Sequence, residues 1–224
     1  MTVVGYGPEF LRGALVTLAV AVVSLVVGTC IGVFLGWVKI YGPRPLGYIA
    51  EGYTAIVRGV PDLIIIYLVY FGSTVALTRT FGRYVDINGF SAGVLALAFI
   101  FGAYAGDLFR GAIKQVPRGQ SEAANALGLP PWIVFCRIVL PQAWRFALPG
   151  FGNLSIILLK QTSLISVIGL EELLRASAVV SGATREPFYV FSITALTALL
   201  YLCMTGAASY GLRRMRIHSN RGQA

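Results

Sequence analysis

Leu15-Val-Thr-Leu-Ala-Val-Ala-Val-Val-Ser24-Leu-Val-Val-Gly28-Thr-Cys-Ile-Gly32-Val-Phe-Leu-Gly36-Trp-Val38 contains no charged residue. A helix of about 20 apolar residues crosses the hydrocarbon core of a bilayer. This run is long enough to span a membrane, and that reading sets the fold class. Gly28, Gly32 and Gly36 recur at intervals of four and leave three bare backbone patches on one helix face. Small residues at that spacing let helices approach closely in lipid, where no hydrophobic drive exists between them. Lys39, Gly42, Pro43, Arg44 and Pro45 then end the run with cations and turn residues.

Outward from this segment, four more apolar runs follow. The second, 56–77, is interrupted early by Arg58-Gly59-Val60-Pro61-Asp62. The third, 89–106, exits at Asp107 and Arg110, two charges three residues apart that suit a structural role at a helix end. The fourth, 146–168, is weaker and holds Pro149, Asn153 and Lys160, and the fifth, 188–212, is stopped by Arg213, Arg214 and Arg216. Together the spans 15–38, 56–77, 89–106, 146–168 and 188–212 predict an all-α integral membrane protein, one transmembrane domain over 1–224. Residues 169–187 read as a loop with a short helix. The stretch 111–145 is too polar and too proline-broken to cross.

Composition agrees. Charged residues make up 12% of the chain and hydrophobic residues 57%, with a mean hydropathy of +0.77. A soluble domain is about a quarter charged, so this chain has too few charges for a water-facing surface. The net charge of +9 does not mark a nucleic-acid binder, because the cations cluster at the span ends. Eleven of the eighteen basic residues fall in the 39–52 loop, the 110–145 stretch and the tail, against five on the other side, Arg12, Arg79, Arg83, Arg175 and Arg185. The positive-inside rule then predicts a periplasmic N-terminus and a cytoplasmic loop and C-terminus. Acidic Glu9 stands where a signal peptide would be basic, and the first apolar run is too long for one, so no cleavable leader is expected. Cys30, Cys136 and Cys203 are too scattered for a disulfide frame or metal pair and read as small core residues.

The cytoplasmic stretch carries the sharpest local pattern, Glu122-Ala123-Ala124-Asn-Ala126-Leu-Gly128, then nine residues, then Ile138-Val-Leu140-Pro141. Good helix formers run from Gln120 to Leu127, and Gly128 suits the left-handed position after a helix end. Pro130-Pro131 can open a second helix, which Leu140-Pro141 is expected to stop. The three alanines leave a face that could lie in another protein's groove, although two amphipathic helices on a membrane surface would read similarly. No catalytic chemistry is apparent. The one histidine, His218, lies in the polar tail, so no HExxH site or histidine triad is available. No GxxxxGKS or GxxxxGKT phosphate loop occurs either.

The spacing Glu-Ala-Ala, three residues, Gly, nine residues, Ile, one residue, Leu-Pro resembles the cytoplasmic loop of ATP-binding-cassette (ABC) import permeases, with every position filled. Arg58-Gly59-Val60-Pro61 is similar to the Arg-Gly-Thr-Pro segment of polar amino-acid permeases, with Val60 in place of threonine. Ala103-Tyr104-Ala105-Gly106-Asp107 through Arg110-Gly111 resembles their Ala-Tyr-X-Ala-Glu-X-X-Arg-Gly segment, with Gly106 and Asp107 as departures. Val116-Pro117-Arg118-Gly119-Gln120 and Leu159 through Leu164 match as well, the latter with Gln161 where aspartate is common. The histidine, lysine-arginine-ornithine and opine permeases are the most similar subgroup.

The resemblance implies a type I importer permease fold with a coupling helix. It also implies import of a polar amino acid or derivative, a basic amino acid or an opine being favoured, across a bacterial inner membrane. The implied partners are a dimeric cytoplasmic ATPase that uses ATP and magnesium, a second permease subunit identical or homologous to this one, and a periplasmic solute-binding protein. This chain itself would bind no cofactor or metal. Glu122, Ala123, Ala124, Gly128, Ile138, Leu140 and Pro141 would form the ATPase-coupling loop.

Charges within spans usually line water or find partners. Arg58 and Asp62, four residues apart, can meet on one helix face, as a structural pair or a pathway element. Lys160 has no acid within four residues and, with Gln161, Thr162 and Ser163, suits a substrate pathway. Snorkelling, or an acid on another helix, is the structural alternative. A secondary transporter or channel subunit for a small polar solute is the alternative, although no duplicated halves are visible.

Overall fold

The computed structural model describes residues 7–84, 87–183 and 186–220, the last five by backbone only. Arg185 and Arg221 of the charge count therefore lie outside the described residues, as do the side chains of Arg216 and His218. The described chain is helical: α1 (Gly7–Tyr41), α2 (Arg44–Gly59), α3 (Asp62–Phe81), α4 (Gly89–Gln115), α5 (Arg118–Ala126), α6 (Pro131–Val134), α7 (Leu140–Gln161), α8 (Leu173–Gly182) and α9 (Pro187–Asn220). A π-turn (Phe135–Val139) joins α6 to α7, and a 3₁₀ segment (Thr162–Ile168) extends α7. Among the described residues five helical runs are long and apolar enough to cross a membrane: α1, α3, α4, Pro131–Ile168 and α9.

The bundle is organised around α4. In its most apolar window 72% of residues are buried, against 11% for α3 and for α9. The glycine face of α1 explains how α4 is enclosed. A β-carbon on Gly28 would stand 2.8 Å from Phe101, one on Gly32 2.5 Å from Ala105 Cβ, and one on Gly36 2.9 Å from Phe109. The fit is mutual, since a β-carbon on Gly102 would meet Ile31 at 2.6 Å. The close approach expected of Gly28, Gly32 and Gly36 is thus made against α4. The Ser24 hydroxyl crosses the same seam to the Val94 carbonyl at 3.2 Å. On its other side α4 meets α7, where Phe109 stacks on Trp144 (5.8 Å) and Phe101 meets Phe151 edge-on (5.9 Å).

Several expected boundaries move. The run 56–77 is not one span, because α2 ends at Gly59 and α3 begins at Asp62. Pro61 disfavours helical backbone at the residue before it, and Val60 is extended (φ −101°, ψ 137°). The third span continues to Gln115 rather than ending at 106. The 111–145 stretch shrinks because Pro131 opens a helical run that reaches Ile168. Leu140-Pro141 does not stop that run. The Leu140 N–H bonds the Phe135 carbonyl, and this wider turn shifts the bonding register just where Pro141 has no N–H to give. Cys30, Cys136 and Cys203 are exposed rather than core. The soluble-protein habit of burying cysteine does not hold where lipid can solvate the outer face.

At the end opposite α5, Glu172 is buried at 1% exposure and caps α8. Its carboxylate accepts from the Leu174 and Arg175 N–H groups (both 2.9 Å), Tyr201 Oη (2.8 Å) and Thr17 Oγ1 (3.4 Å). Burial holds this carboxyl above the usual range in spite of the four donors. The cluster ties α8 to α1 and α9. Nothing in the local sequence of 169–187 marks Glu172 as buried.

Candidate functional site

Two features stand apart from the apolar packing: a charged cluster where α1, α2 and α4 meet, and the short helix α5 with its exit turn. In the cluster Lys39, in the last turn of α1, has a side chain only 1% exposed. Its Nζ donates to Asp107 Oδ1 on α4 and Thr54 Oγ1 on α2, both at 2.6 Å. Asp107 Oδ2 accepts from Arg58 Nη1 on α2, and the Arg58 guanidinium lies over the Tyr104 ring, 5.4 Å from its centre. Arg110 pairs with Glu51 at 3.1 Å, and its buried Nε has no partner among the described residues. The cluster borders a cavity of about 510 Å³.

These partners replace those expected from spacing. Arg58 and Asp62 do not meet, because the Val60–Pro61 break puts them on different helices. Asp107 and Arg110 do not form an isolated helix-end pair, since each reaches another helix. Lys39, Thr54 and Glu51 were missed. The available signal was the isolation of Asp107 in an apolar run, since a carboxylate there calls for a cation from elsewhere in the fold.

Asp62 instead accepts from Gln161 Nε2 at 2.5 Å, joining the start of α3 to the end of α7. Thr162 is buried and its hydroxyl donates to the Leu159 carbonyl (2.7 Å), while Ser163 donates to the Lys160 carbonyl (2.8 Å). Of the Lys160–Ser163 quartet, three side chains are therefore occupied within the fold. Lys160 is exposed and has no partner among the described residues.

At the other feature, the end of α5 closes in a paired turn: Leu129 N–H bonds the Ala124 carbonyl (3.2 Å) and Gly128 N–H the Asn125 carbonyl (2.9 Å). This is the double bond pattern that a left-handed residue makes after a helix, and Gly128 has φ +75°. Pro131 then opens α6 as expected. Glu122 and Ala123 are exposed, but Ala124 turns inward at 3% exposure, so the alanines do not form one outward face. Outward-facing bulk comes from Leu127 (80% exposed) and Trp132 (68%), which the sequence reading did not single out. Ile138, Leu140 and Pro141 lie on the next helical run rather than on α5.

A family model described as the binding-protein-dependent transport system inner membrane component matches residues 28–217, which spans both features. The chain belongs to that family. The chain is similar to the nopaline transport system permease protein of Agrobacterium fabrum, 40% identical over 97% of this chain and 94% of that one. The histidine/lysine/arginine/ornithine transport system permease protein of Escherichia coli is 39% identical over 94% of each chain. Among solved structures, the crystal structure of an amino acid ABC transporter with histidines superposes with a TM-score of 0.80 at 31% identity, covering 97% of this chain and 100% of that one. The protein is thus a multi-pass permease subunit of a bacterial ABC transporter, as the sequence pattern implied, and the secondary-transporter and channel alternative is not favoured.

Proposed function

We propose that this permease moves a polar amino acid or amino-acid derivative, a basic amino acid or an opine, across the inner membrane. Lys160 and the Arg58 side of the charged cluster line its path. A cytoplasmic ATPase dimer supplies the energy, a periplasmic binding protein delivers the substrate, and a second permease subunit completes the pathway. The N-terminus is periplasmic and α5 cytoplasmic. The observation that carries this reading is Lys160, a cation with no partner among the described residues within a helix apolar enough to span the bilayer. A charge there is costly, about 3 kcal/mol on insertion scales, unless water or a charged solute meets it.

Cysteine labelling tests path and orientation together. With the three exposed native cysteines replaced by serine, Lys160→Cys should react with small water-soluble thiol reagents. Val179→Cys should react from the periplasm, and Ala124→Cys only after the cytoplasmic face is opened. Lys160→Met should cut uptake about tenfold while the assembled complex is recovered in normal yield. An inert cysteine at 160 with failed assembly of Lys160→Met would mean that the lysine only holds the structure together.

Coupling to the ATPase is assigned to α5 and its exit turn, with Glu122 free to accept hydrogen bonds from the motor. A β-carbon on Gly128 would touch nothing within 4 Å, so substitutions there report on backbone alone. A left-handed β-branched residue costs roughly 1–3 kcal/mol, whereas asparagine tolerates that region. Gly128→Val should therefore reduce substrate-stimulated ATP hydrolysis and uptake about tenfold with insertion unchanged, and Gly128→Asn should retain most activity. Equal activity of the two variants would remove the turn from the coupling path.

A further inference from the structure

An apolar groove of about 710 Å³ runs between α1 and the start of the Pro131–Ile168 run, lined by Val33, Phe34, Trp37, Trp132, Phe135 and Cys136 among others. Phe34 and Trp37 stack at 6.4 Å, and Trp37 meets Phe135 edge-on at 6.4 Å. Beside it, at the α5 end of the bundle, lies a second pocket of about 640 Å³, whose aliphatic floor is joined by the polar side chains of Tyr41, Lys114, Arg118, Ser121 and Glu122. One ring pair links the two, because Tyr41 of the polar pocket meets Phe135 of the groove edge-on, with ring centres 6.0 Å apart. Lys114 and Arg118 are both exposed and have no partner among the described residues. With Glu122 as the one acid in the lining, the polar pocket is net positive.

An aromatic-walled slot in the membrane region, abutting two unpaired cations and a hydroxyl where the helices leave it, matches the two halves of one molecule. Aromatic side chains concentrate at the headgroup level, and basic pockets between spans take anionic headgroups. We infer that this paired groove and pocket is a binding site for one anionic phospholipid, its acyl chain along Trp37 and Phe135 and its phosphate at Lys114 and Arg118. Lys114 lies in the last turn of α4 and Arg118 begins α5, so the bound headgroup would bridge the central span to the short helix. A second copy of the chain would not need the unpaired cations. A motor subunit would not need the slot within the membrane.

The protein carries its own probe. Of its three tryptophans, Trp37 and Trp132 line the groove, and Trp144 packs internally on Phe109 and Phe151. Titrating the detergent-purified full chain with bromine-labelled phosphatidylglycerol should quench the groove tryptophans at a roughly tenfold lower lipid fraction than the same chains on phosphatidylethanolamine, given two cations near the headgroup. Lys114→Gln with Arg118→Gln should bring the two curves together at unchanged melting temperature. Trp37→Phe with Trp132→Phe should remove the quenching. Glycerol phosphate without an acyl chain should not compete. Identical curves for the two lipids in the parent protein would reduce the groove to ordinary lipid annulus and overturn the inference. So would effective competition by glycerol phosphate, loss of the preference when the ATPase is bound, or a groove closed to all lipid by dimerisation.

Discussion

Asp107→Ala is expected to give the largest loss of stability of any single charge removal in this chain, and to abolish uptake. Asp107 is the shared partner of two cations. One of them, Lys39, is sequestered among three helices with a side chain 1% exposed. Removing the acid leaves that ammonium uncompensated, and breaking a buried pair from one side costs about 3–5 kcal/mol. Lys39→Met combined with Asp107→Leu removes both members and should recover most of the melting temperature of the solubilised protein. Uptake should stay defective in the double variant, because Arg58 still lacks its carboxylate. A wild-type melting curve for Asp107→Ala would show that water already screens the cluster.

Gly32→Val should prevent the bundle from forming. The nearest obstacles to its first side-chain atom are Ala105 Cβ at 2.5 Å and the Ala105 carbonyl carbon at 3.0 Å. Backbone cannot rotate out of the way as a long side chain can, so α1 and α4 must separate along their whole seam. Overpacking in a dense core costs about 1–3 kcal/mol when side chains absorb it, and more when a helix must move. Folded protein recovered from membranes should fall at least tenfold. Gly32→Ala should be milder and partly rescued by Ala105→Gly. Gly72→Val is the control, since no atom lies within 4 Å of its β-carbon. If Gly32→Val and Gly72→Val give equal yields, the seam is not what holds α1 to α4.

Periodicity and charge made the class, five spans and the glycine seam legible, because each depends on residues close together in the chain. Boundaries were harder wherever a proline had two possible effects. Pro61 ends a helix because the residue before it becomes extended, whereas Pro141 is carried within one because a π-turn precedes it. No local pattern distinguishes the two cases. Ion pairing was misjudged for a related reason. Arg58–Asp62 and Asp107–Arg110 are helical neighbours by count, yet Arg58 and Lys39 both turn to Asp107, 49 and 68 residues away. Glu172 escaped notice because a glutamate between spans looks solvated until α1 and α9 are seen to close over it.

The centrality of α4 has a consequence for how the protein is made. The seam contacts with α1 described above fall between Ser24 and Arg110, so both faces of that seam exist once the first half of the chain has been synthesised. The Phe109–Trp144 stack and the fit of Ile165 beside Gly93 await segments that emerge later. Until then one side of α4 faces the bilayer or the insertion machinery. The contacts therefore allow an order of assembly in which an early helical pair is followed by enclosure from the second half. A chain truncated near α5 would present the quality-control proteases of the membrane with a half-covered core.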